Sequence, residues 1–251
     1  MWQNTGWKKI MKKLKVLDLF SGIGGFSLGL DWAGGFETVA FCEIEPFPRK
    51  VLARHWPEVP QYEDVTKLTG DILRRDGISV DVITGGFPCQ DISAAGKQAG
   101  MGEGTRSGLW SEIVRLIGDL RPKYVILENV ANLLAGPSEQ RGGWFGRILA
   151  DLAERGYDAE WENIPASAVG ASHRRERVWV VAYPNSKRCK GRVQKSLAWK
   201  PRLSKQSARS FEEWPGGRDI PASRLCSAND GVPDRLARIK ALGNAVVPQI
   251  P

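Results

Sequence analysis

Between residues 14 and 183 the chain alternates between two hydrophobic patterns. Short, mostly apolar runs occur at 14–19, 36–42, 80–84, 124–127 and 177–182, bounded by Gly, Pro or charged residues, and read as buried strands. Between them, 25–33, 48–55, 109–120 and 145–155 space their apolar residues as one face of a helix requires. Strands alternating with helices predict βαβ units, and hence an α/β fold around a mostly parallel sheet. After Tyr183-Pro184 both patterns fail. Residues 184–233 are rich in Lys, Arg, Ser, Pro and Gly and are punctuated by Trp199, Phe211 and Trp214. So long a stretch without regular elements is unusual as a loop inside one domain, so it is either a small separate lobe or a segment that orders on binding. Helical spacing returns over 235–242, followed by Gly243-Asn244-Ala245-Val246-Val247-Pro248. The expected partition is a main domain over 12–183, a basic region over 184–233 and a return to the main domain over 234–251. Residues 1–15 read as a peripheral lead-in, with Met1 and Met11 both candidate starts.

Composition narrows the class. A chain of 251 residues, 42% hydrophobic and 25% charged, suits one domain with a small second lobe. No apolar run approaches the roughly 18 residues of a membrane span, and the basic N-terminus lacks a signal-peptide core, so no membrane association is expected. Cys42, Cys89, Cys189 and Cys226 are widely spaced, with only His55 and His173 to add ligands. That pattern predicts reduced thiols, a cytoplasmic location and no metal site. The net charge of +8 is unevenly spread: residues 184–240 hold 14 Lys/Arg against 5 Asp/Glu, the remainder 22 against 23. Concentrated positive charge fits a polyanionic partner, most simply nucleic acid, or else a solvated basic loop.

Two regions carry candidate chemistry. The first is Asp18-Leu19-Phe20-Ser21-Gly22-Ile23-Gly24-Gly25-Phe26, between the first strand and the first helix. Its glycines permit either a simple tight turn or close approach of a nucleotide-like ligand to the backbone. Glu43, at the end of the second strand, is placed to accept bonds from ribose hydroxyls, and Asp64 from an adenine amino group. Together they favour an adenosine-containing cofactor. No Gly-Lys-Ser/Thr element follows the loop, which argues against a nucleoside triphosphatase.

The second region starts where the run at 80–84 breaks into Gly85-Gly86-Phe87-Pro88-Cys89-Gln90, leaving a thiol at a strand's carboxyl end. Open α/β sheets place their chemistry there, so Cys89 is a candidate nucleophile, with a buried structural thiol as the alternative. Glu128, in Leu127-Glu128-Asn129-Val130, stands at the end of the next strand and shares that rim. It suits an electrophile protonated as it is attacked, or a cap or ion pair. No histidine stands ready as a base, which weakens a cysteine-protease reading. In His173-Arg174-Arg175-Glu176-Arg177, alternation puts Arg175 and Arg177 on one face, where they would orient an anion or simply mark a charged strand entrance.

In order along the chain, residues 18–26, Glu43, Asp64, Gly86-Phe87-Pro88-Cys89-Gln90, Arg106-Ser107-Gly108-Leu109, Glu128-Asn129-Val130, the Arg175-x-Arg177 pair and residues 243–248 resemble the DNA cytosine-5 methyltransferase family of bacterial or phage type. The resemblance implies a Rossmann-like sheet that binds S-adenosylmethionine, and a small target-recognition lobe at 184–233. It implies a cofactor site built from Asp18, Phe20, Ser21, Gly22, Gly24, Gly25, Glu43, Ile44, Asp64, Val65, Leu109, Asn244 and Ala245. Within it Phe20 would lie on the adenine, Glu43 would hold the ribose, and Asp64 with Val65 would border the adenine edge. Cys89, in a loop shaped by Pro88 and Gln90, would attack carbon 6 of a flipped-out cytosine. Glu128 would serve ring nitrogen 3, Arg175 would contact the base, and Arg177 would support the site through Glu128. The product would be S-adenosylhomocysteine. The partner would be double-stranded DNA, gripped by candidates such as Lys187, Arg188, Lys190, Arg192, Lys200 and Arg202. The chain's compactness suggests a setting in restriction–modification, with a cognate endonuclease in the same system but no direct contact implied, or in the protection of phage DNA; a monomer is the default expectation. The residues after Cys89, 94–102, would form a flap over the base. Three features depart from the family: His173 replaces the usual glutamine, the recognition region is short, and the chain stops at Pro251 where the family continues into a helix. The alternatives are a tRNA cytosine-5 methyltransferase and a DNA-binding protein inactivated by truncation.

Overall fold

The computed structural model describes residues 12–87, 109–134, 143–171, 173–185, 240–242 and 244–250. Strand β1 (Leu14–Leu19) leads through the glycine turn into α1 (Gly25–Ala33) and β2 (Phe36–Cys42). Then come α2 (Pro46–His55), a two-residue β3 (Gln61–Tyr62), α3 (Gly70–Arg75) and β4 (Val82–Gly85). Helix α4 (Trp110–Leu120) precedes β5 (Tyr124–Val130), and α5 (Gly143–Glu154) precedes the antiparallel pair β6 (Tyr157–Pro165) and β7 (Glu176–Pro184). The strands form one seven-stranded sheet in the order β3-β2-β1-β4-β5-β7-β6. The first five run parallel; β7 lies antiparallel between β5 and β6. The sheet is thus mostly parallel, as the βαβ pattern predicts, with an antiparallel margin.

Hydrophobic phase sorts the helices. Leu17, Ile83 and Val125 meet Ile113, Leu116 and Ile117 of α4 and Ile148 and Leu152 of α5 in the larger core cluster. Val16 and Val82, one position out of phase, meet Leu30 of α1 in a smaller one. Successive strand residues face opposite sides, so α1 covers one face of the sheet, and α4 and α5 the other. Truncating one of these fully buried side chains to Ala costs about 2–5 kcal/mol. Polar ties reinforce the second layer: Trp110 Nε1 donates to Asp151 Oδ2 at 2.6 Å, and Tyr157 Oη to the Pro122 carbonyl at 2.6 Å.

Several elements differ from expectation. Helix α2 starts at Pro46 rather than 48, because prolines suit a first turn whose N–H groups have no intrahelical partner. Strand β5 runs on to Val130, so Glu128 lies inside it, opposite Trp179 of β7, rather than at its end. The short β3 and α3, the latter capped by the Thr69 hydroxyl accepting the Ile72 N–H at 3.2 Å, escape periodicity because they are too short to show it. Strand β6 escapes because it is a margin: residues 160–163 are all exposed, which erases the alternation. Residues 186–239, including the basic region and most of the 235–242 helical pattern, lie outside the described residues. Among the described residues no helix is long and apolar enough to cross a membrane.

Candidate active site

The glycine turn is clipped to the neighbouring strand. Ser21 Oγ donates to the Asp18 carbonyl at 2.6 Å and accepts the Cys42 N–H at 3.2 Å, while Ser21 N–H reaches the Cys42 carbonyl at 3.2 Å. Gly24 has φ +87°, and a Cβ there would sit 2.6 Å from the Trp56 ring. A Cβ on Gly25 would sit 2.6 Å from the Val246 carbonyl oxygen, so the segment 244–250 lies directly against the first turn of α1. These two glycines are required by close approach, of side chain in one case and backbone in the other.

Glu43 follows β2 and is buried. Its two carboxylate oxygens accept one backbone N–H each, from Gly22 at 2.7 Å and Glu45 at 2.8 Å. The carboxylate is thereby fixed in orientation, with lone pairs left to accept ligand hydroxyls. Asp64 Oδ1 accepts both the N–H and the hydroxyl of Thr66, at 3.0 and 2.7 Å. Those bonds hold its carboxyl below the usual carboxylate range, so it is an ionised acceptor at neutral pH. Phe20, Gly22, Glu43, Ile44, Asp64, Val65, Leu109 and Asn244 all line one cleft of about 690 Å³. A volume of that order suits a nucleoside-sized ligand. An aromatic face, a fixed hydroxyl acceptor and an ionised acceptor for an amino group suit an adenosine cofactor.

Five residues expected in the cofactor site do not line this cleft: Asp18, Ser21, Gly24, Gly25 and Ala245. Asp18 is fully buried beneath the turn, where its carboxylate accepts the Thr84 hydroxyl at 2.7 Å and the Ser27 hydroxyl at 2.9 Å. Its side chain serves as an internal anchor of the turn rather than as part of the cleft wall. Ser21, Gly24 and Gly25 shape the turn from behind, and Ala245 presents its carbonyl to Arg175.

The same cleft continues to Gly86, Phe87, Glu128, Arg175 and Arg177. Arg177 Nε lies 2.9 Å from Glu128 Oε1. Burial pushes the Glu128 carboxyl above its ordinary range, and the positive charges of Arg177 and Arg175 pull the other way. Arg175 has φ +29°, outside the usual region for a side-chain-bearing residue, and donates through Nη2 to the Ala245 carbonyl at 2.9 Å. A Cβ on Gly86 would come within 3.3 Å of Glu128 Oε2, so this glycine leaves the carboxyl its room. Asn129 Nδ2 donates to the Phe87 carbonyl at 3.3 Å, which ties the chain entering the Pro88-Cys89-Gln90 loop to β5. Pro88, Cys89 and Gln90 lie outside the described residues, as do the 94–102 flap and the six basic candidates.

Sequence reasoning left several cleft residues unassigned. Cys42 lines the cleft, its thiol pushed up to about 12 by burial and the nearby Glu43 and Asp64 charges, so it is a neutral wall. Lys240 Nζ bonds Glu45 Oε1 at 2.6 Å across the rim. Charge at the ends of a rim was the available signal, but the pairing crosses from one end of the chain to the other.

A family model for C-5 cytosine-specific DNA methylases matches residues 14–222. The chain belongs to this family. Among curated relatives, the Type II methyltransferase M.Sau3AI of Staphylococcus aureus is 38% identical over 184 residues, covering 69% of this chain and 44% of the relative. The Type II methyltransferase M2.BsuMI of Bacillus subtilis is 36% identical over 173 residues, covering 67% and 42%. The chain therefore spans less than half the length of these relatives. A solved structure described as a prophage-encoded DNA modification methyltransferase of E. coli superposes with TM-score 0.57 at 28% identity, over 69% of this chain and 47% of that one. A Spodoptera frugiperda DNMT2 structure, at TM-score 0.56 and 21% identity over 73% and 54%, shares the fold.

Proposed function

We propose that this methylase chain carries the catalytic half of a DNA cytosine-5 methyltransferase. It would act on carbon 5 of a flipped-out cytosine in duplex DNA, with S-adenosylmethionine as cofactor. The observation that carries the reading is one continuous cleft with an adenosine-type wall at one end and a buried carboxyl paired to an arginine at the other. Glu43 would accept the ribose hydroxyls, Asp64 the adenine amino group, and Phe20 would lie on the adenine ring. S-adenosylmethionine, when bound, supplies an electrophilic methyl group.

The chain's own residues would prepare the base to receive it. Cys89, two residues beyond Phe87 in the chain, would attack carbon 6 as a thiolate, and ring nitrogen 3 would gain electron density as the carbon–sulfur bond forms. Glu128, whose raised pKa keeps a larger protonated fraction at neutral pH, delivers a hydrogen bond or proton there. Arg177 holds that carboxyl in one orientation, and Arg175 faces the base. Carbon 5 would then be nucleophilic enough to accept the methyl group, with S-adenosylhomocysteine as the leaving group. Its proton would pass to water, the electron pair left behind would re-form the ring double bond as the Cys89 thiolate departs, and the proton at nitrogen 3 would return to Glu128. A stacked cytosine cannot reach such a cleft, so the base leaves the duplex. The basic 184–240 region would hold the phosphates, and the protein would act as a monomer in the cytoplasm beside a cognate endonuclease.

Bisulfite sequencing of DNA from cells expressing the chain tests this directly. Methylated cytosines in one short sequence context are expected, and none with Cys89→Ser. Soluble, cofactor-binding wild-type protein with no methylation of any DNA, or label transferred to tRNA instead, would overturn it.

A further inference from the structure

Asp64 and Val65, which would border the adenine, sit on a short turn between β3 and α3. Within the turn, Thr66 holds the Asp64 carboxylate and the Lys67 and Leu68 N–H groups bond back to the Asp64 carbonyl at 3.1 Å each. The Val65 and Leu68 carbonyls are held from outside the turn, by Arg115 on α4. Arg115 Nη2 donates to the Val65 carbonyl at 2.9 Å and to the Leu68 carbonyl at 2.8 Å, spanning the turn with one nitrogen. The guanidinium is itself held from below. Its Nε donates to Glu112 Oε2 at 2.8 Å, one turn back on α4, and its Nη1 lies 3.6 Å from Asp119 Oδ2. Ile113, Leu116 and Ile117 anchor α4 in the core, so the guanidinium is presented by a rigid element.

We infer that Arg115 is a positioning residue for cofactor selection. It sets where the Asp64-Val65 edge stands, and so makes the site favour an adenine over a purine without the 6-amino group. The inference rests on the proposed cofactor reading and adds a residue that does not line the cleft. Lysine at this position keeps the charge beside Glu112 and Asp119 but cannot fork between two carbonyls while also meeting a carboxylate in one plane.

The test is calorimetry with the full chain, using S-adenosylhomocysteine and its deaminated analogue S-inosylhomocysteine, in which a carbonyl replaces the amino donor. Wild type should prefer the adenosyl compound by about tenfold or more, the worth of a hydrogen bond to a charged acceptor. Arg115→Lys should bind S-adenosylhomocysteine about tenfold more weakly, with S-inosylhomocysteine scarcely changed, so the preference collapses toward one. Arg121→Lys is the control, since it breaks a similar bond from Arg121 Nη1 to the Arg155 carbonyl, 2.7 Å long, at the far end of α4. It should leave the preference intact whatever it does to stability. An undiminished preference in Arg115→Lys overturns the inference, as does a loss that falls equally on both compounds. Failure of wild type to bind either compound would instead overturn the cofactor reading.

Discussion

At the scale of single residues, two buried carboxyls in this cleft and its foundation behave differently because their partners differ. Glu128 has an arginine at 2.9 Å and faces the cleft. Glu128→Gln keeps the shape but cannot deliver a proton, so methyl transfer should slow by about 10²–10⁴-fold while affinity for S-adenosylhomocysteine holds. An unslowed variant in single-turnover assays would remove Glu128 from the chemistry. Asp18 has the Thr84 and Ser27 hydroxyls and the Ser27 backbone for partners and no countercharge among them, with Thr38 extending the chain by donating to Ser27 Oγ at 2.9 Å. Burial lifts its carboxyl from 3.8 to about 7, so the folded state holds this proton more tightly than the unfolded chain does. Its stabilising contribution is therefore full below pH 4 and is lost as pH rises toward 7, at up to about 1.4 kcal/mol per pH unit. Urea denaturation of wild type and Asp18→Asn at pH 5 and 7.5 should show wild type losing ground to the variant at the higher pH; a constant difference would refute this. These acids also mark what can be read from sequence. Glu43 and Glu128 were legible as site residues because positions at or near the carboxyl ends of strands carry the information. Asp18 sits in an equally telling motif, but the direction of its side chain depends on Ser27 and Thr84, which no local pattern connects to it.

At the scale of elements, legibility followed burial. Strands β1, β2, β4 and the start of β5 are covered on both faces and read as apolar runs, whereas β6, with one neighbour and exposed residues at 160–163, does not. The contact of residues 244–250 with α1 was equally hidden, because it depends on the absence of a side chain at Gly25. Gly25→Ala should push against the Val246 carbonyl, a backbone atom that cannot rotate away. We expect S-adenosylhomocysteine affinity to fall by about tenfold, the equivalent of about 1.4 kcal/mol. Gly146, inside α5, is the opposite case: a Cβ there would meet nothing within 4 Å. Gly146→Ala should raise stability by about 0.5–1 kcal/mol in a thermal or chemical melt, through lower backbone entropy in the unfolded chain. A fall in stability would mean that α5 is not helical at that position.

At the scale of the whole molecule, charge divides the two binding tasks of the proposed function. Residues 184–240 carry 14 Lys/Arg against 5 Asp/Glu, whereas the proposed cofactor wall carries Glu43 and Asp64. Duplex DNA affinity should therefore fall steeply with salt, by about 10³-fold between 50 and 200 mM if some six phosphates are contacted. Affinity for S-adenosylhomocysteine should move little over the same range. Parallel titrations by fluorescence anisotropy and calorimetry would show whether the two respond separately; equal salt slopes would place the DNA on the wrong surface.

The position of β7 has a consequence for synthesis. It is the last of the sheet's seven strands to be made, yet it lies between β5 and β6, and it brings Arg177 to Glu128. Asn244 joins the cleft last, whereas a growing chain can complete the parallel sheet from β3 to β5, with Phe20, Glu43, Asp64 and Val65, before Arg177 leaves the ribosome. Until then the Glu128 carboxyl lacks its nearest countercharge, and the groove in which a base would sit lacks one side. A chain arrested or released before Arg177 should thus carry Glu43 and Asp64 in place yet hold S-adenosylhomocysteine more weakly than the full chain, for want of residues 244–250, and transfer no methyl group.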